Sequence, residues 1–311
     1  SNKRAISAMP VAGSYRSIDF ALSSMSNSHI QTVAVLTQYN ARSLNEHLSS
    51  SKWWNFGRKQ GGLFLFTPTV TADNSDWYRG TADAMYQNID FLKRRHEPYV
   101  IISSGDCVYK LDFNRVLDFH IEKKSDITVV CKDMMYNDDV SRFGVVRMDD
   151  ESRITEFDEK PIEALSNTIS TGIYVIRRRQ LIELLEAAAE ENRFDFVNDI
   201  LVRYKNVKKI YGYKINSYWN NIADIDAYFK TNMDFLRPDV RSYFFREEPT
   251  ICSKVDDLPP AKFNPGSDIS NSLVSSGCII NGSVEDSVLF KQVFVGKNTT
   301  VKNCVILNDV Y

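Results

Sequence analysis

The stretch Tyr99-Val-Ile-Ile-Ser103, followed at once by Ser104-Gly-Asp106, decides the fold of the longer part of this chain. Its strand is apolar on both faces, which is typical of strands buried in a parallel sheet. Val33-Ala-Val-Leu-Thr37 and Ile127-Thr-Val-Val-Cys131 have the same character. Helical patterns over residues 82–95, 113–123 and 179–190 alternate with such strands. We therefore predict a doubly wound α/β domain with a mostly parallel sheet, in which Asp106 lies at the carboxyl edge where ligands bind.

The composition changes after residue 234. Prolines recur at positions 238, 249, 259, 260 and 265, which predicts an extended linker over residues 235–265. Beyond the linker, an apolar side chain recurs every six residues, with one slip: Cys278, Val284, Phe290, Val295, Val301 and Leu307. This period predicts a left-handed parallel β-helix of hexapeptide repeats over residues 266–311, and a pair of antiparallel hairpins is the alternative. The α/β domain is then expected over residues 1–234.

Composition and charge exclude several functional classes. The 311 residues carry a net charge of −2 and are 43% hydrophobic, so a nucleic-acid-binding surface is not expected. No apolar run approaches the roughly 18 residues of a membrane span, and no leader peptide opens the chain. We expect a cytoplasmic protein. Its five cysteines contain no CxxC pair, which argues against a zinc site and a disulfide framework.

Three further motifs can carry chemistry. Tyr78-Arg-Gly-Thr-Ala-Asp-Ala-Met-Tyr-Gln-Asn88 reads as a turn followed by a helix start, which offers backbone N–H groups and a small-residue surface for a flat base. A simple helix cap would give the same pattern. Phe157-Asp-Glu-Lys-Pro161 ends one strand and Ser170-Thr-Gly172 begins the next. Surface charge would explain the first motif, and a tight turn would explain the second. Their order along the chain offers one explanation for both.

In this order the motifs resemble those of the glucose-1-phosphate adenylyltransferases, also called ADP-glucose pyrophosphorylases. The resemblance begins at Lys3-Arg-Ala, includes Tyr15-Arg-Ser-Ile-Asp-Phe and Arg142-Phe-Gly144, and continues into the hexapeptide region. It implies a Rossmann-like nucleotide-diphospho-sugar transferase domain and a Mg²⁺ cofactor. The implied reaction converts ATP and glucose 1-phosphate to ADP-glucose and pyrophosphate in glycogen biosynthesis, with positioning and charge stabilisation as the main sources of catalysis.

The resemblance also implies roles for individual residues. Asp106 and Lys160 are the implied catalytic residues, and Asp106 is also a metal ligand. The implied contacts to sugar, sugar phosphate and nucleotide are Glu159, Lys160, Ser170, Gly80, Thr81 and Gln87. Lys3 corresponds to a basic position associated with effector binding.

Three departures from the family pattern bear on activity. Asn221 stands where the family has a second metal-binding aspartate, and a neutral amide lacks the charge that offsets a dication. Ile6 stands where the family has a lysine near the phosphates. The glycine-rich loop that cradles the triphosphate would precede Ser1 and is absent from this sequence, through either truncation or a genuine lack. We therefore expect a regulatory or weakly active subunit.

This hypothesis predicts the partners of the chain. They are glucose 1-phosphate or ADP-glucose, ATP as a further ligand, and a catalytic homologous subunit in a homo- or hetero-tetramer. Because no capping repeat is visible before Tyr311, we expect that the last coil is either covered by another chain or incomplete through truncation. A fully active adenylyltransferase is one alternative. A hexapeptide acyltransferase or assembly module is another, although no histidine follows His120 to serve as a general base.

Overall fold

A computed structural model describes residues 4–49, 51–57, 61–68 and 77–311. Within these residues the chain forms an α/β unit followed by a β-helix, so the predicted fold class is confirmed. None of the helices in the described ranges is both long and apolar enough to cross a membrane.

The described α-helices include those predicted over residues 113–123 and 179–190. They are α1 (Ser17–Asn27), α2 (Ala41–Leu48), α3 (Thr81–Gln87), α4 (Ile89–Lys93), α5 (Phe113–Glu122), α6 (Arg178–Glu190), α7 (Ile225–Asp234) and α8 (Pro238–Phe245). The single helix predicted over residues 82–95 is wrong, because α3 and α4 are separate. Asn88 divides them: its side-chain amide donates to the Ala84 carbonyl at 2.8 Å, while its backbone N–H bonds Met85 instead. Side chains of this type compete with the helical backbone for such acceptors.

The strands of the α/β unit form one main sheet and several two-stranded pairs. They are β1 (Pro10–Val11), β2 (Tyr15–Arg16), β3 (Thr32–Leu36), β4 (Gly62–Phe66), β5 (Tyr99–Ser103), β6 (Cys107–Tyr109), β7 (Ile127–Asp133), β8 (Gly144–Met148), β9 (Ile154–Glu159), β10 (Thr168–Arg177), β11 (Ile210–Lys214) and β12 (Trp219–Asn221). The main sheet has the order β11-β7-β10-β8-β9, and β5 also pairs with β10.

Most strands of this sheet point in one direction. β11 is parallel to β7. The separate two-stranded sheet of β3 and β4 is also parallel. β10 runs antiparallel to β5, β7 and β8, so these three share a direction and β10 is inserted between them in the opposite one. Buried side chains pack on both faces of the sheet, among them Tyr109 and Phe113 in one cluster and Phe157 and Phe196 in the other. The carboxyl edges of β5 and β9 thereby meet the start of β10.

The C-terminal strands form three stacked ladders. They are β13 (Lys262–Phe263), β14 (Asp268–Ser270), β15 (Leu273–Val274), β16 (Ile279–Ile280), β17 (Ser283–Glu285), β18 (Val288–Leu289), β19 (Phe294–Val295), β20 (Thr300–Lys302) and β21 (Val305–Ile306). The ladders β13-β16-β19, β14-β17-β20 and β15-β18-β21 are parallel throughout. The hairpin alternative is therefore wrong, and the arrangement is consistent with the predicted left-handed β-helix.

The predicted inward side chains of the β-helix are buried, with one exception. Cys278, Val284, Phe290, Val295 and Val301 are buried. Leu307 is 38% exposed, so its predicted burial is wrong. It lies after β21 in the final rung of this sequence, where no further strand packs over it.

The segment between the two units is partly helical. We predicted extended structure for residues 235–265, which is wrong in part, because α8 begins there at Pro238. Proline is tolerated in the first turn of a helix, since the N–H groups of that turn have no partner within the helix. Leu236 packs against Val288 and Phe290 of the β-helix. The α/β unit and the β-helix thus share a small hydrophobic cluster.

Candidate functional site

Asp106 lies in the short connection between β5 and β6. Its carboxylate accepts hydrogen bonds from the Ser104 hydroxyl and, at 3.5 Å, from the Cys107 thiol. The Ser104 N–H donates to the Gly172 carbonyl at 3.2 Å, which draws the start of β10 to the same place. Gly172 has φ +78°, in the left-handed region that glycine adopts without strain. The structure therefore brings Asp106 and the Ser170-Thr-Gly172 motif together.

Asn221 lies beside Asp106 on the neighbouring strand. β12 pairs antiparallel with β6, so that Asn221 is opposite Cys107. The Ile222 N–H donates to the Asp106 carbonyl at 3.0 Å. The Asn221 Oδ1 accepts from the Ala223 N–H at 2.9 Å, and its Nδ2 donates to the Cys107 Sγ at 3.5 Å. Two positions far apart in sequence are thus joined by backbone pairing.

The residues at this position do not fit a two-carboxylate magnesium site. Asp106 supplies a carboxylate, while Asn221 supplies an amide whose oxygen already accepts a backbone N–H. In the described parts of the chain, no group of three His, Cys, Asp or Glu side chains is placed to hold a metal ion. Mg²⁺ prefers charged oxygen ligands, so this donor set is poorer than the one implied by the resemblance.

Cys107 adds no negative charge to this place. Burial raises the pKa of its thiol well above the ordinary value, and the charge of Asp106 raises it further. The hydrogen bond from Asn221 and the charge of Arg142 act in the opposite direction but are smaller. The thiol therefore stays neutral at physiological pH, and it lies between the two polar side chains as a weak donor.

The predicted sugar-side residues meet at the end of β9. Glu159 is opposite Gly144 on β8, where an added Cβ would lie only 2.8 Å from the Phe157 ring and 3.1 Å from the Glu159 Oε2. The Lys160 side chain is exposed, and the backbone N–H of Lys160 donates to the Phe143 carbonyl at 3.1 Å. Burial raises the pKa of Glu159, Lys160 lowers it and Asp195 raises it. A half-buried carboxylate and a free ammonium group thus stand side by side.

Ser170 is buried on β10 next to Ile169, which pairs with Val145 of β8, and Val145 in turn pairs with Asp158 of β9. Its hydroxyl lies 3.4 Å from the Tyr174 hydroxyl. Burial raises the pKa of Tyr174, the bond to Ser170 opposes this, and the charge of Glu159 raises it further. Glu159, Ser170 and Tyr174 therefore form one polar group, although Tyr174 was absent from the sequence prediction.

The segment predicted to approach the nucleotide is held by a neighbouring loop. Gly80 lies so close to that loop that an added Cβ would be 2.4 Å from the Phe194 carbonyl. The same carbonyl accepts from the N–H groups of Ala82 at 2.9 Å and Asp83 at 3.3 Å. These donors at the start of α3 are occupied, so our expectation that they are offered to a ligand is wrong.

Thr81 and Gln87 also make contacts within the protein. The Thr81 hydroxyl accepts from the Phe196 N–H at 3.0 Å, and the Gln87 amide donates to Asp83 at 3.0 Å. Both residues belong to α3, whose Ala82 packs in the cluster with Phe157, whereas Cys107 next to Asp106 packs in the other cluster. Their predicted role at the nucleotide stays a prediction.

Ile6 begins a single 3₁₀ turn, Ile6–Ala8, that lies against the Asp106 connection. An added Cβ at Gly105 would be 3.1 Å from the Cβ of Ser7. Ile6 itself is 37% exposed. Lys3, the predicted effector residue, is outside the described residues.

Comparisons with known proteins agree with this arrangement. The family described as Nucleotidyl transferase matches residues 1–237, and the family described as "GlmU-like, C-terminal hexapeptide" matches residues 259–311. A glucose-1-phosphate adenylyltransferase of Clostridium perfringens is 38% identical over 304 residues, which cover 96% of this chain and 77% of that protein. The chain belongs to the glucose-1-phosphate adenylyltransferase family.

Two other relatives carry the same name. The glucose-1-phosphate adenylyltransferase of Pseudothermotoga lettingae is 39% identical over 94% of this chain and 70% of its own length. That of Bacillus subtilis is 37% identical over 94% of this chain and 78% of its own length. The resemblance inferred from the motifs is thereby confirmed at the level of the family.

This member of the glucose-1-phosphate adenylyltransferase family also has a polar cavity of about 190 Å³ at the junction with the β-helix. The cavity is lined by Arg16, Lys254 and Lys291 among other residues. Lys291 is ion-paired with Asp256 there. Burial lowers the pKa of Arg16, and the positive charge of Arg4 lowers it further.

Sequence reasoning missed two further residues near Asn221. Arg142 forms an ion pair with Asp224 at 2.5 Å. Arg142 opens the Arg-Phe-Gly motif that carried part of the resemblance, and Asp224 follows the Asn221 stretch. Both signals were present in the sequence, but only the fold places them together.

Proposed function

We propose that this chain is a regulatory or weakly active subunit of an ADP-glucose pyrophosphorylase in the cytoplasm, acting in glycogen biosynthesis. The observation that carries the proposal is Asn221. Its amide takes the place beside Asp106 where a second carboxylate would offset a dication, and its oxygen accepts the Ala223 N–H. Phosphoryl transfer depends on charge stabilisation, so this change weakens the reaction more than it weakens binding.

The sugar side supports retained binding. Glu159, Lys160 and Ser170 lie together, with a charged ammonium group exposed for a phosphate. We propose that they bind glucose 1-phosphate or the glucosyl phosphate of ADP-glucose. On the nucleotide side, Gly80, Thr81 and Gln87 remain proposed contacts to the base and ribose.

The phosphate side supports impaired turnover. Ile6 presents a hydrocarbon side chain next to the Asp106 connection, where it cannot neutralise charge on a departing pyrophosphate. If Mg²⁺ enters with the nucleotide, Asp106 is the one carboxylate that we propose as its ligand. A bound Mg²⁺ would supply charge neutralisation at the phosphates.

We propose that regulation acts through the cavity at the domain junction. Three cationic side chains, Arg16, Lys254 and Lys291, line it together with the carboxylates of Glu46 and Asp256, so we propose an anionic effector there and Lys3 as a further contact. The chain would exert this effect within a homo- or hetero-tetramer that contains a catalytic homologue.

The test measures pyrophosphate release from ATP and glucose 1-phosphate by the full-length chain alone, by a catalytic homologue alone, and by their mixture. Sedimentation of the same samples reports assembly. We expect little turnover by the chain alone, a mixed oligomer, and altered effector response of the mixture. A turnover typical of enzymes, on the order of 10 per second, by the chain alone would contradict the proposal.

A fully active glucose-1-phosphate adenylyltransferase is the second candidate. The convergence of Asp106 with Glu159 and Ser170 around the start of β10 favours it, because these are the residues that a competent site would need. The same turnover assay separates the two candidates.

A further inference from the structure

An ion pair bridges the two sides of the candidate site. The Nη1 of Arg142 lies 2.5 Å from the Oδ2 of Asp224, and the two side chains are 33% and 40% exposed. Within the described residues, no other carboxylate pairs with this guanidinium. A guanidinium has five N–H donors, so the pair leaves several of them available to a ligand.

Arg142 is attached to the sugar side. It immediately precedes Phe143, whose carbonyl accepts the N–H of Lys160 at 3.1 Å. The guanidinium lies 4.8 Å from the centre of the Phe143 ring. Arg142 and the proposed phosphate-binding Lys160 therefore extend from two backbone segments that are hydrogen-bonded to each other.

Asp224 is attached to the other side. It follows Asn221 on the connection from β12 to α7, and its Oδ1 accepts from the Ala227 N–H at 2.8 Å as the N-cap of that helix. The Phe143 ring packs edge-on against Trp219 of β12, with centroids 5.5 Å apart. The ion pair thus lies next to an aromatic contact, between Phe143 and Trp219, that joins the same two sides.

Arg142 also lies near the segment of the missing carboxylate. Its partner Asp224 lies three residues beyond Asn221, on the connection that follows β12. Asn221 in turn is opposite Cys107, the residue next to Asp106. Arg142 is therefore a cation held beside the segment where the second carboxylate is missing.

We propose that Arg142 is a phosphate-binding residue of this site, and that Asp224 holds its guanidinium until the phosphate of the sugar ligand replaces the Asp224 carboxylate. This inference rests on the proposed binding of glucose 1-phosphate. A planar guanidinium binds phosphate through two parallel N–H···O bonds, which suits it to exchange a carboxylate for a phosphate.

A phosphate-binding Arg142 and a purely structural ion pair predict opposite effects on glucose 1-phosphate affinity when the charge of Asp224 is removed. If Asp224 competes with phosphate, neutralising it frees Arg142 and strengthens binding. If the pair only holds the two loops in place, removing either partner weakens binding. Asp224→Asn tests this cleanly, because an asparagine side chain can still accept the Ala227 N–H and cap α7.

The experiment measures the dissociation constant of glucose 1-phosphate by calorimetry for the full chain and its variants, and repeats it with inorganic phosphate as competitor. We expect Arg142→Gln to weaken binding about 10-fold or more, as loss of a charge-assisted hydrogen bond does. We expect Asp224→Asn to strengthen it about two- to five-fold, the size of a partly exposed ion pair. Inorganic phosphate should compete less well in Arg142→Gln than in the parent.

Arg203→Gln is the matched control. Arg203 forms an ion pair with Glu191 at 2.5 Å, with side-chain exposures of 33% and 47%, in a region with no proposed ligand contact. It should leave the dissociation constant unchanged. Arg142→Lys, which keeps the charge but not the fork, should recover part of the loss.

Three results would overturn the proposal. They are unchanged binding in Arg142→Gln, weaker binding in both Arg142→Gln and Asp224→Asn, and an equal loss in Arg203→Gln. If Asp224→Asn does not fold, as judged by its thermal transition, the two Arg142 variants decide. Inorganic phosphate that competes equally well in Arg142→Gln and Arg142→Lys would then contradict the phosphate-binding role of Arg142. If binding is lost in Lys160→Ala but kept in Arg142→Gln, the role of Arg142 is refuted and the proposed sugar-phosphate site is not. If the parent binds no glucose 1-phosphate, both are refuted.

Discussion

Replacing Asn221 by aspartate should create magnesium-dependent nucleotide binding. The change is nearly isosteric, and the new carboxylate can keep the 2.9 Å bond from the Ala223 N–H. Only the 3.5 Å contact from the amide to the Cys107 sulfur is lost, and the thiol can donate to the carboxylate instead. The perturbation is therefore the addition of one negative charge beside Asp106.

The expected magnitude follows from this geometry. A unit charge about 4 Å from a cation is worth about 4 kcal/mol at an effective dielectric constant of about 20. Asn221 and Asp106 are both partly exposed, so solvent screening reduces this figure. Repulsion between the two carboxylates in the metal-free protein must also be overcome. We expect a net gain of about 1 to 2 kcal/mol, which is roughly a 5- to 30-fold tighter dissociation constant for ATP or ADP-glucose in the presence of Mg²⁺.

The assay is calorimetry with and without Mg²⁺, together with the thermal midpoint under both conditions. Without the metal, Asn221→Asp should unfold at a lower temperature than the parent, because the carboxylates repel each other. Mg²⁺ should remove that difference. Asn220→Asp is the control, since it also creates a carboxylate pair but on the opposite face of β12, where the Asn220 amide bonds the Tyr218 hydroxyl at 2.7 Å and lies 3.5 Å from the Asp234 carboxylate.

An equal response to Mg²⁺ in Asn221→Asp and Asn220→Asp would refute the reasoning, as would no response in either. Turnover should not return with Asn221→Asp alone, because Ile6 still lies beside the Asp106 connection. Combining it with Ile6→Lys should raise pyrophosphate release by more than the product of the two single gains, since charges that act together on one transition state are non-additive.

Three further predictions concern the sugar side and the domain junction. Lys160→Ala should weaken glucose 1-phosphate binding by about 10-fold in calorimetry, because an exposed ammonium contact to phosphate is lost; equal affinity would remove Lys160 from the site. The folded-state pKa of Glu159 is raised above its ordinary value of 4.5, so its contribution to stability is full below that value and is lost as pH rises through the raised pKa. Glu159→Gln lacks this titration and should gain stability relative to the parent as pH rises above about 4.5, measured by denaturant unfolding, while it loses affinity for the sugar; parallel stability curves would contradict this. Phe290→Ala removes a fully buried ring from the cluster with Leu236 and should cost about 3 to 5 kcal/mol of unfolding free energy or split the thermal transition in two; a small, single shift would mean that this cluster does not couple the units.

Local patterns in the sequence were sufficient for some elements of the fold. The six-residue period after residue 265 depends on side chains close in sequence, and the β-helix that it predicts is confirmed. The apolar strand before Asp106 is present, but its predicted burial in a parallel sheet is wrong, because β5 is only partly buried and pairs antiparallel with β10. The division of one predicted helix into α3 and α4 was missed, although its cause, the side chain of Asn88, is also local. The helix α8 was missed because several prolines suggested extended chain, whereas a proline in the first turn is compatible with a helix.

The candidate site could be predicted only as a set of residues. Asp106, Glu159, Lys160 and Ser170 stood out in sequence because their motifs match a family whose membership the comparisons confirm. Their roles remain predictions. The pairing of Arg142 with Asp224, the occupied N–H groups at the start of α3 and the thiol between Asp106 and Asn221 could not be read from the chain.

The sequence by itself determined that a carboxylate would follow a strand and that an amide would stand at position 221. Strand formation and side-chain chemistry are properties of short segments. Only the tertiary structure decided that β12 pairs with β6, so that the amide lies beside Asp106, and that Arg142 meets Asp224 across the same cleft. The physical reason is that backbone pairing and ion pairs between distant segments depend on the packing of the whole sheet, which no local pattern specifies.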